Sequence, residues 1–200
     1  MKSYDIYLIR HGQHEEAQSG KYIGHTDVAL SSKGKRALIK KANEGYPYVE
    51  AVFSSPLKRA TESCNIMYPG KKPIIIEELA ECSFGDWEGK TPEDLQGNSL
   101  FERWIMGDHD AIPPFGESSE EFGKRIYQGF EKIVDGVFKS GVSSVAIVTH
   151  QGVIGAILSF FGLPVLPMHE WQIENGGGFW LKMDPGTWSR CRKIEVFGEF

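Results

Sequence analysis

Long apolar runs are missing from this chain of 200 residues. The longest, Val153–Leu166, spans 14 residues and is interrupted by Gly155, Ser159, Gly162 and Pro164, too short and too broken to cross a bilayer. The N-terminal MKSYDIYLIR enters a strand-like pattern with no apolar export core and no small-residue cleavage site behind it. Cysteine is scarce: Cys64, Cys82 and Cys191 are odd in number, widely spaced and without a C-x-x-C pair, which predicts a reduced, cytoplasmic chain. None has an Arg beyond a phosphate-cradling loop, so a cysteine-phosphatase mechanism has no anchor. Positive charge is also short. Lys and Arg number 22 against 27 Asp and Glu, a net charge of −5, which argues against nucleic acid as partner while leaving room for a local cationic pocket. Internal repeats, low-complexity tracts and linkers are absent, and residues 1–200 read as one domain.

What the chain does contain is an alternation of strand and helix patterns. Ile6–Ile9 reads as a buried strand, His11–Leu30 as a long loop, and Ser31 as the cap of a helix to about Asn43. A strand at Ala51–Phe53 precedes a helix after Pro56, Ile74–Leu79 is a third strand candidate, and Val145–Thr149 leads into a helix from about Val153. This rhythm predicts an α/β fold, a three-layer α/β/α sandwich with a mostly parallel central sheet. Two stretches depart from it. Thr91–Gly116 reads as a small excursion over the active-site edge, and Gly176–Trp188, with a Pro185-Gly186 turn, as a closing hairpin.

Ligands of open parallel sheets bind beyond the carboxyl ends of the strands. Arg10-His11-Gly12 follows the first strand, Ser54-Ser55-Pro56-Leu57-Lys58-Arg59 the second, Glu81 the third and His150 the fourth. Arginine offers a donor fork that matches phosphoryl oxygens, an unprotonated imidazole can accept a phosphoryl group, and a carboxylic acid can protonate a departing oxygen. With side-chain cations present, that chemistry needs no metal. Spacing alone does not separate Glu81 from Glu77, Glu78 and Glu88. The pair His11-x-x-His14 lacks a third metal ligand at a typical spacing, and Gly85-Asp-Trp-Glu-Gly89-Lys90-Thr91 has one residue too few between its glycines for a P-loop. Lys33, Lys35, Arg36, Lys40 and Lys41 read as a solvated helix face. Trp87, Trp104 and Trp171 read as packing residues, although Trp104, with Phe101 and Phe115, could line an apolar pocket.

Five ordered blocks carry a resemblance: LIRHGQ at 8–13, SSPLKRA at 54–60, LAECSFGDWEG at 79–89, FGES at 115–118 and VTHQG at 148–152. Together they resemble the histidine phosphatase superfamily, the phosphoglycerate mutase-like group, in the branch that includes α-ribazole phosphatase-like enzymes. The resemblance implies a phosphohistidine mechanism with His11 as nucleophile. Arg10, Arg59 and His150 would hold the phosphoryl oxygens, Glu81 would be the proton donor, Gln13 and Gln151 would complete the substrate-binding set, and Ser54 and Ser55 would shape the turn before Arg59. The sequence departs from the family at His14, where Ser or Thr is frequent, and at Ala17, where Asn is frequent; losing one neutral contact there costs about 1–3 kcal/mol. The implied activity is that of a metal-independent phosphomonoesterase without cofactor, acting on a small phosphorylated metabolite such as α-ribazole 5′-phosphate. A phosphoglycerate mutase is the first alternative, which the shortness of the 91–116 excursion disfavours because retaining a bisphosphate requires excluding water. A non-catalytic phospho-ligand-binding protein is the second, and His14 and Ala17 are its support. The expected partner is a small phosphate ester, with no nucleic acid and no membrane; a homodimer stays open.

Overall fold

The computed structural model describes residues 3–200. In chain order its elements are β1 (Tyr4–Arg10), α1 (Ser32–Glu44), β2 (Ala51–Ser54), α2 (Lys58–Met67), β3 (Ile74–Ile75), α3 (Ser99–Ile105), α4 (Ser119–Ser140), β4 (Ser144–Thr149), α5 (Gln151–Phe161), β5 (Gly162–Leu163), β6 (Gly178–Met183), α6 (Pro185–Cys191) and β7 (Ile194–Glu199). The strands form one mixed sheet in the order β3-β2-β4-β1-β6-β7-β5. Pairing is parallel except where β6 meets β1 and β7. The α/β, mostly parallel architecture expected from the alternation is the one found.

Alternating side chains divide the strands between two faces. Tyr4, Ile6, Leu8, Val145 and Ile147 join Phe122, Ile126, Phe130, Val134, Phe161 and Trp188 of α4, α5 and α6 in one core. Ile9, Val52, Ala146 and Val148 face α1 and α2 through Leu38, Ala60, Cys64 and Met67. Ser31 caps α1 by accepting from the Gly34 N–H, and Lys33, Lys35, Arg36 and Lys40 lie on its exposed side.

Three local expectations need correction. The third strand ends after Ile75: Ile76 turns inward, 5 % exposed, and Glu77–Leu79 wind into a 3₁₀ turn. Burial of Ile76 and Leu79 on the same side, impossible in an extended chain three residues apart, outweighs the strand pattern. The helix expected from Val153 begins at Gln151, with His150 at its N-cap. The closing hairpin is interrupted, because Pro185 takes the first position of α6 and Asp184 caps it by accepting from the Thr187 N–H; proline at N1 starts a helix more readily than it closes a two-residue turn here. Within the Thr91–Gly116 excursion, α3 contributes Phe101 to a small cluster with Trp87 and Leu95, and Tyr22, Phe84 and Trp104 pack around it.

Candidate functional site

The neighbouring parallel strands β1 and β4 end together: Arg10 is opposite Thr149, and the His11 N–H donates to Thr149 O at 2.9 Å. The next residues, His11 and His150, therefore lie side by side, with ring centroids 4.9 Å apart. His11 is 5 % exposed and His150 fully buried. The His11 Nδ1 lies 2.7 Å from Gly12 O. A carbonyl only accepts, so Nδ1 carries the proton and Nε2 keeps its lone pair. Burial first, then the positive charge of Arg59, holds the His11 pKa well below the usual histidine value, so the ring is neutral near neutral pH.

Arg59 belongs to the first turn of α2 yet is 1 % exposed. Its Nε donates to His150 Nδ1 at 3.3 Å, its Nη1 to Thr26 O at 3.0 Å and its Nη2 to Gly24 O at 2.7 Å. The bond to Nδ1 makes that atom an acceptor, so His150 donates from Nε2 to Ser55 Oγ, 2.7 Å away. The loop that receives Arg59 is drawn in by Glu88, whose carboxylate accepts from the N–H groups of Gly24, His25, Thr26 and Phe84 and from the Thr26 hydroxyl. Burial pushes the Glu88 pKa up, but these hydrogen bonds outweigh it and bring the net shift down. Only glycine fits at 24, where a Cβ would run into Cys82 O.

Arg10 donates from Nη1 to Ile173 O at 2.7 Å and, at 3.5 Å, to Gln151 Oε1, while its buried Nε has no partner among the described residues. The Gln151 amide is engaged on both sides, giving to Trp171 O at 2.6 Å and taking from the Ile173 N–H at 3.2 Å. It braces Arg10. Gln13 borders a cleft of about 370 Å³ with Arg10, Gly12 and Asn175. His14 stands 5.7 Å from the His11 ring, its Nδ1 buried without a partner among the described residues, and burial with Arg59 and Arg10 lowers its pKa to about 4. Ala17 is exposed on a 3₁₀ turn at 15–18.

The structure separates the four glutamates. Glu77 is exposed, Glu78 pairs with Lys132 at 3.3 Å, and Glu88 is saturated by donors. Glu81 accepts from the Cys82 N–H at 2.9 Å and the Gly152 N–H at 3.1 Å, two residues past His150. Burial raises its pKa, against the opposing pull of those N–H groups, Arg59 and Arg125. Gly152 is required because a Cβ there would occupy the place of the Glu81 carboxylate.

Arg125 and Glu117 escape any reading of strand ends, although Glu117 falls in the FGES block. Arg125 forms a two-point ion pair with Glu117 at 2.6 and 2.8 Å and donates to the carbonyls of Glu78, Ala80 and Glu81. It thereby fixes the backbone that carries Glu81. Asn175 donates to His11 O at 2.9 Å, a second contact with no local sequence signal. Trp104 borders a cavity shared with Glu81, whereas Phe101 is committed to its own cluster and Phe115, 93 % exposed, lies outside that cavity. Among the described residues, no group of three His, Cys, Asp or Glu could hold a metal ion, and no helix is long and apolar enough to cross a membrane.

The depressed histidines make stability pH-dependent. Below the ordinary value of 6.5, the unfolded chain takes up protons that His11 and His150 refuse when folded. Stability is therefore full above that value and falls as pH drops, at up to about 1.4 kcal/mol per pH unit for each ring. Thermal melts between pH ~6.5 and ~5.5 should show this slope, reduced in His150→Asn; an unchanged slope would contradict burial of the neutral ring.

A bare imidazole nitrogen, a buried and a half-buried guanidinium, and a carboxyl biased toward its acid form are the components of phosphoryl transfer. Comparison with known proteins agrees. A model of the histidine phosphatase superfamily, branch 1, matches residues 6–193. The adenosylcobalamin/α-ribazole phosphatase of Salmonella typhimurium is 28 % identical over 182 residues, covering 86 % of each chain. Phosphoserine phosphatase 1 of Hydrogenobacter thermophilus is 29 % identical over 133 residues, covering 64 % of this chain and 63 % of that one. Among solved structures, the α-ribazole phosphatase of Shigella flexneri superposes with a TM-score of 0.79 at 24 % identity, over 96 % of this chain and 94 % of that one.

Proposed function

The chain belongs to the histidine phosphatase superfamily and is a phosphomonoesterase, and from that premise we propose a metal-independent mechanism through phospho-His11. The ester phosphate enters between Arg10 and Arg59. His11 Nε2 attacks phosphorus, the phosphorus–oxygen bond to the alcohol breaks, and Glu81 gives its proton to the departing oxygen. Water then attacks the phosphohistidine and loses its proton to Glu81, the phosphorus–nitrogen bond breaks, and inorganic phosphate leaves. His150 and Arg59 hold the phosphoryl oxygens through the change in charge. Gln13 contacts the ester at the rim, and Gln151 acts on the phosphate through Arg10.

The observation that carries this reading is the His11 tautomer, with Nδ1 tied to Gly12 O and Nε2 bare beside the His150 ring. The names of the relatives support α-ribazole 5′-phosphate as the first ester to assay, and the three free thiols accord with a reducing cytoplasm. Release of inorganic phosphate from a panel of phosphorylated metabolites, with a chelator present and no added magnesium, tests the proposal; turnover that collapses on chelation would refute it.

The proton-donor role makes a sharper prediction. Glu81→Gln keeps the shape but loses the acid. It should slow alkyl phosphates, whose alkoxides leave poorly, by roughly 10²–10³-fold, and p-nitrophenyl phosphate far less. A loss independent of the leaving-group pKa would remove Glu81 from that role.

A further inference from the structure

Beside Glu81 opens a cavity of about 450 Å³, within the range of small-ligand sites. Its wall is built from five segments of the chain. Phe84 follows the segment carrying Glu81, Trp104 comes from α3, Phe122 from α4, and Ala156 with Phe160 from α5, while Met168 closes the remaining side. Phe160 and Met168 are 40 % and 41 % exposed. Large apolar side chains from separate elements facing one space mark a surface suited to an apolar ligand.

The cavity adjoins the Glu81 side of the proposed site, because Glu81, Gly152 and Gln151 border it too. An alcohol receiving its proton from Glu81 would depart into this space. Its charge pattern is also selective. Among the described residues bordering it there is no Lys, Arg or His, and Glu117 adds a carboxylate. The neighbouring Arg125 is spent on Glu117 and three backbone carbonyls. A carboxylate on the alcohol half would be desolvated there without a cationic partner, a costly arrangement.

We propose that this cavity receives the alcohol half of the substrate, and that the preferred substrates are monophosphates of bulky, uncharged, apolar or aromatic alcohols rather than esters whose alcohol carries a carboxylate. This rests on the phosphatase reading above and adds a substrate class to it. Of the two activities named among the relatives, it favours the α-ribazole kind over the phosphoserine kind for this chain.

Two measurements on the intact protein keep the proposal separable from the mechanism. In the first, ethyl-, butyl- and hexylphosphonate are titrated by calorimetry; none can be hydrolysed, so binding is read without chemistry. Affinity should rise about threefold per methylene. In the second, kcat/KM is compared for ethyl, butyl and hexyl phosphate, whose leaving groups have nearly equal pKa, and for butyl phosphate against 3-phosphooxypropanoate, of similar length but with a terminal carboxylate. The rate should climb along the alkyl series, and the carboxylate should cost at least tenfold.

Phe160→Arg, at a partly exposed site that tolerates a long polar chain, should flatten the alkyl slope and narrow the carboxylate penalty. Flat affinity and rate along the series, or equal turnover of butyl phosphate and 3-phosphooxypropanoate, would overturn the substrate class while leaving phospho-His11 intact. Chain-length-dependent phosphonate binding with no hydrolysis of any ester would keep the cavity's ligand preference and refute the phosphatase mechanism instead.

Discussion

His11→Ala should release no inorganic phosphate above background and should retain no phosphate on the protein after rapid quenching in alkali. The loss expected is roughly 10⁴-fold or more, since removal of a covalent nucleophile leaves only binding and charge stabilisation. The geometry makes the test selective. His150 and His14 lie 4.9 and 5.7 Å from His11 by ring centroid, so a substitute acceptor is at hand if imidazole identity were all that mattered. His150 is excluded because it has no free lone pair: Nδ1 accepts from Arg59, and Nε2 carries the proton given to Ser55, which it would turn to a phosphoryl oxygen when substrate binds. Phosphohistidine is labile to acid and stable to alkali, so labelled phosphate on the wild type, lost in acid and missing in the variant, identifies His11. Label that persists on His11→Ala would transfer the nucleophile to His14. A thermal melt guards against misfolding, and the substitution should be tolerated because, among the described residues, the ring it removes hydrogen-bonds to an adjacent carbonyl alone.

Arg59→Ala carries the second large effect. Turnover should fall by about 10²–10³-fold with a smaller rise in KM, as expected when a charge stabiliser acts chiefly in the transition state. Arg59→Lys should rescue little, because Nε, Nη1 and Nη2 each meet a different acceptor and a single ammonium cannot reach all three. Loss of the guanidinium also leaves Gly24 O without its donor, while Thr26 O keeps the Val28 N–H, so a stability loss of about 1–3 kcal/mol should accompany the kinetic one. Glu88→Gln separates the two effects. It leaves Arg59 in place but weakens the loop that holds it, so kcat should fall while phosphate still binds, and the profile of rate against leaving-group pKa should stay unchanged. A KM effect alone would mean that Arg59 only binds.

Much of this site is visible from the order of strands. Arg10, His11 and His150 follow apolar runs directly, and a parallel sheet must bring the ends of neighbouring strands together. Glu81 is different: its segment departs from the strand pattern at Ile76, and four glutamates within twelve residues look alike until their donors are known. Arg125 and Asn175 are invisible for another reason. Each acts on backbone more than forty residues away in sequence, and no periodicity encodes such a partner. The helix that carries Arg125 does have a start signal, Ser118 capped reciprocally by Glu121 ahead of an apolar stripe, but a strand-led reading of the chain passes over it. Pro185 misleads in the opposite direction, since Pro-Gly suggests a turn where Asp184 has already begun a helix.

The residue proposed as proton donor and those proposed to grip phosphate hang from different supports. Arg59 is secured through Glu88 and the 24–26 loop, Arg10 through Ile173 and Gln151, whereas the segment bearing Glu81 is gripped by Arg125 of α4. Drift in α4 and the excursion can therefore retune which alcohol is released without disturbing the machinery that handles phosphorus. Such partitioning makes α4 the natural place to begin redesigning what this scaffold accepts.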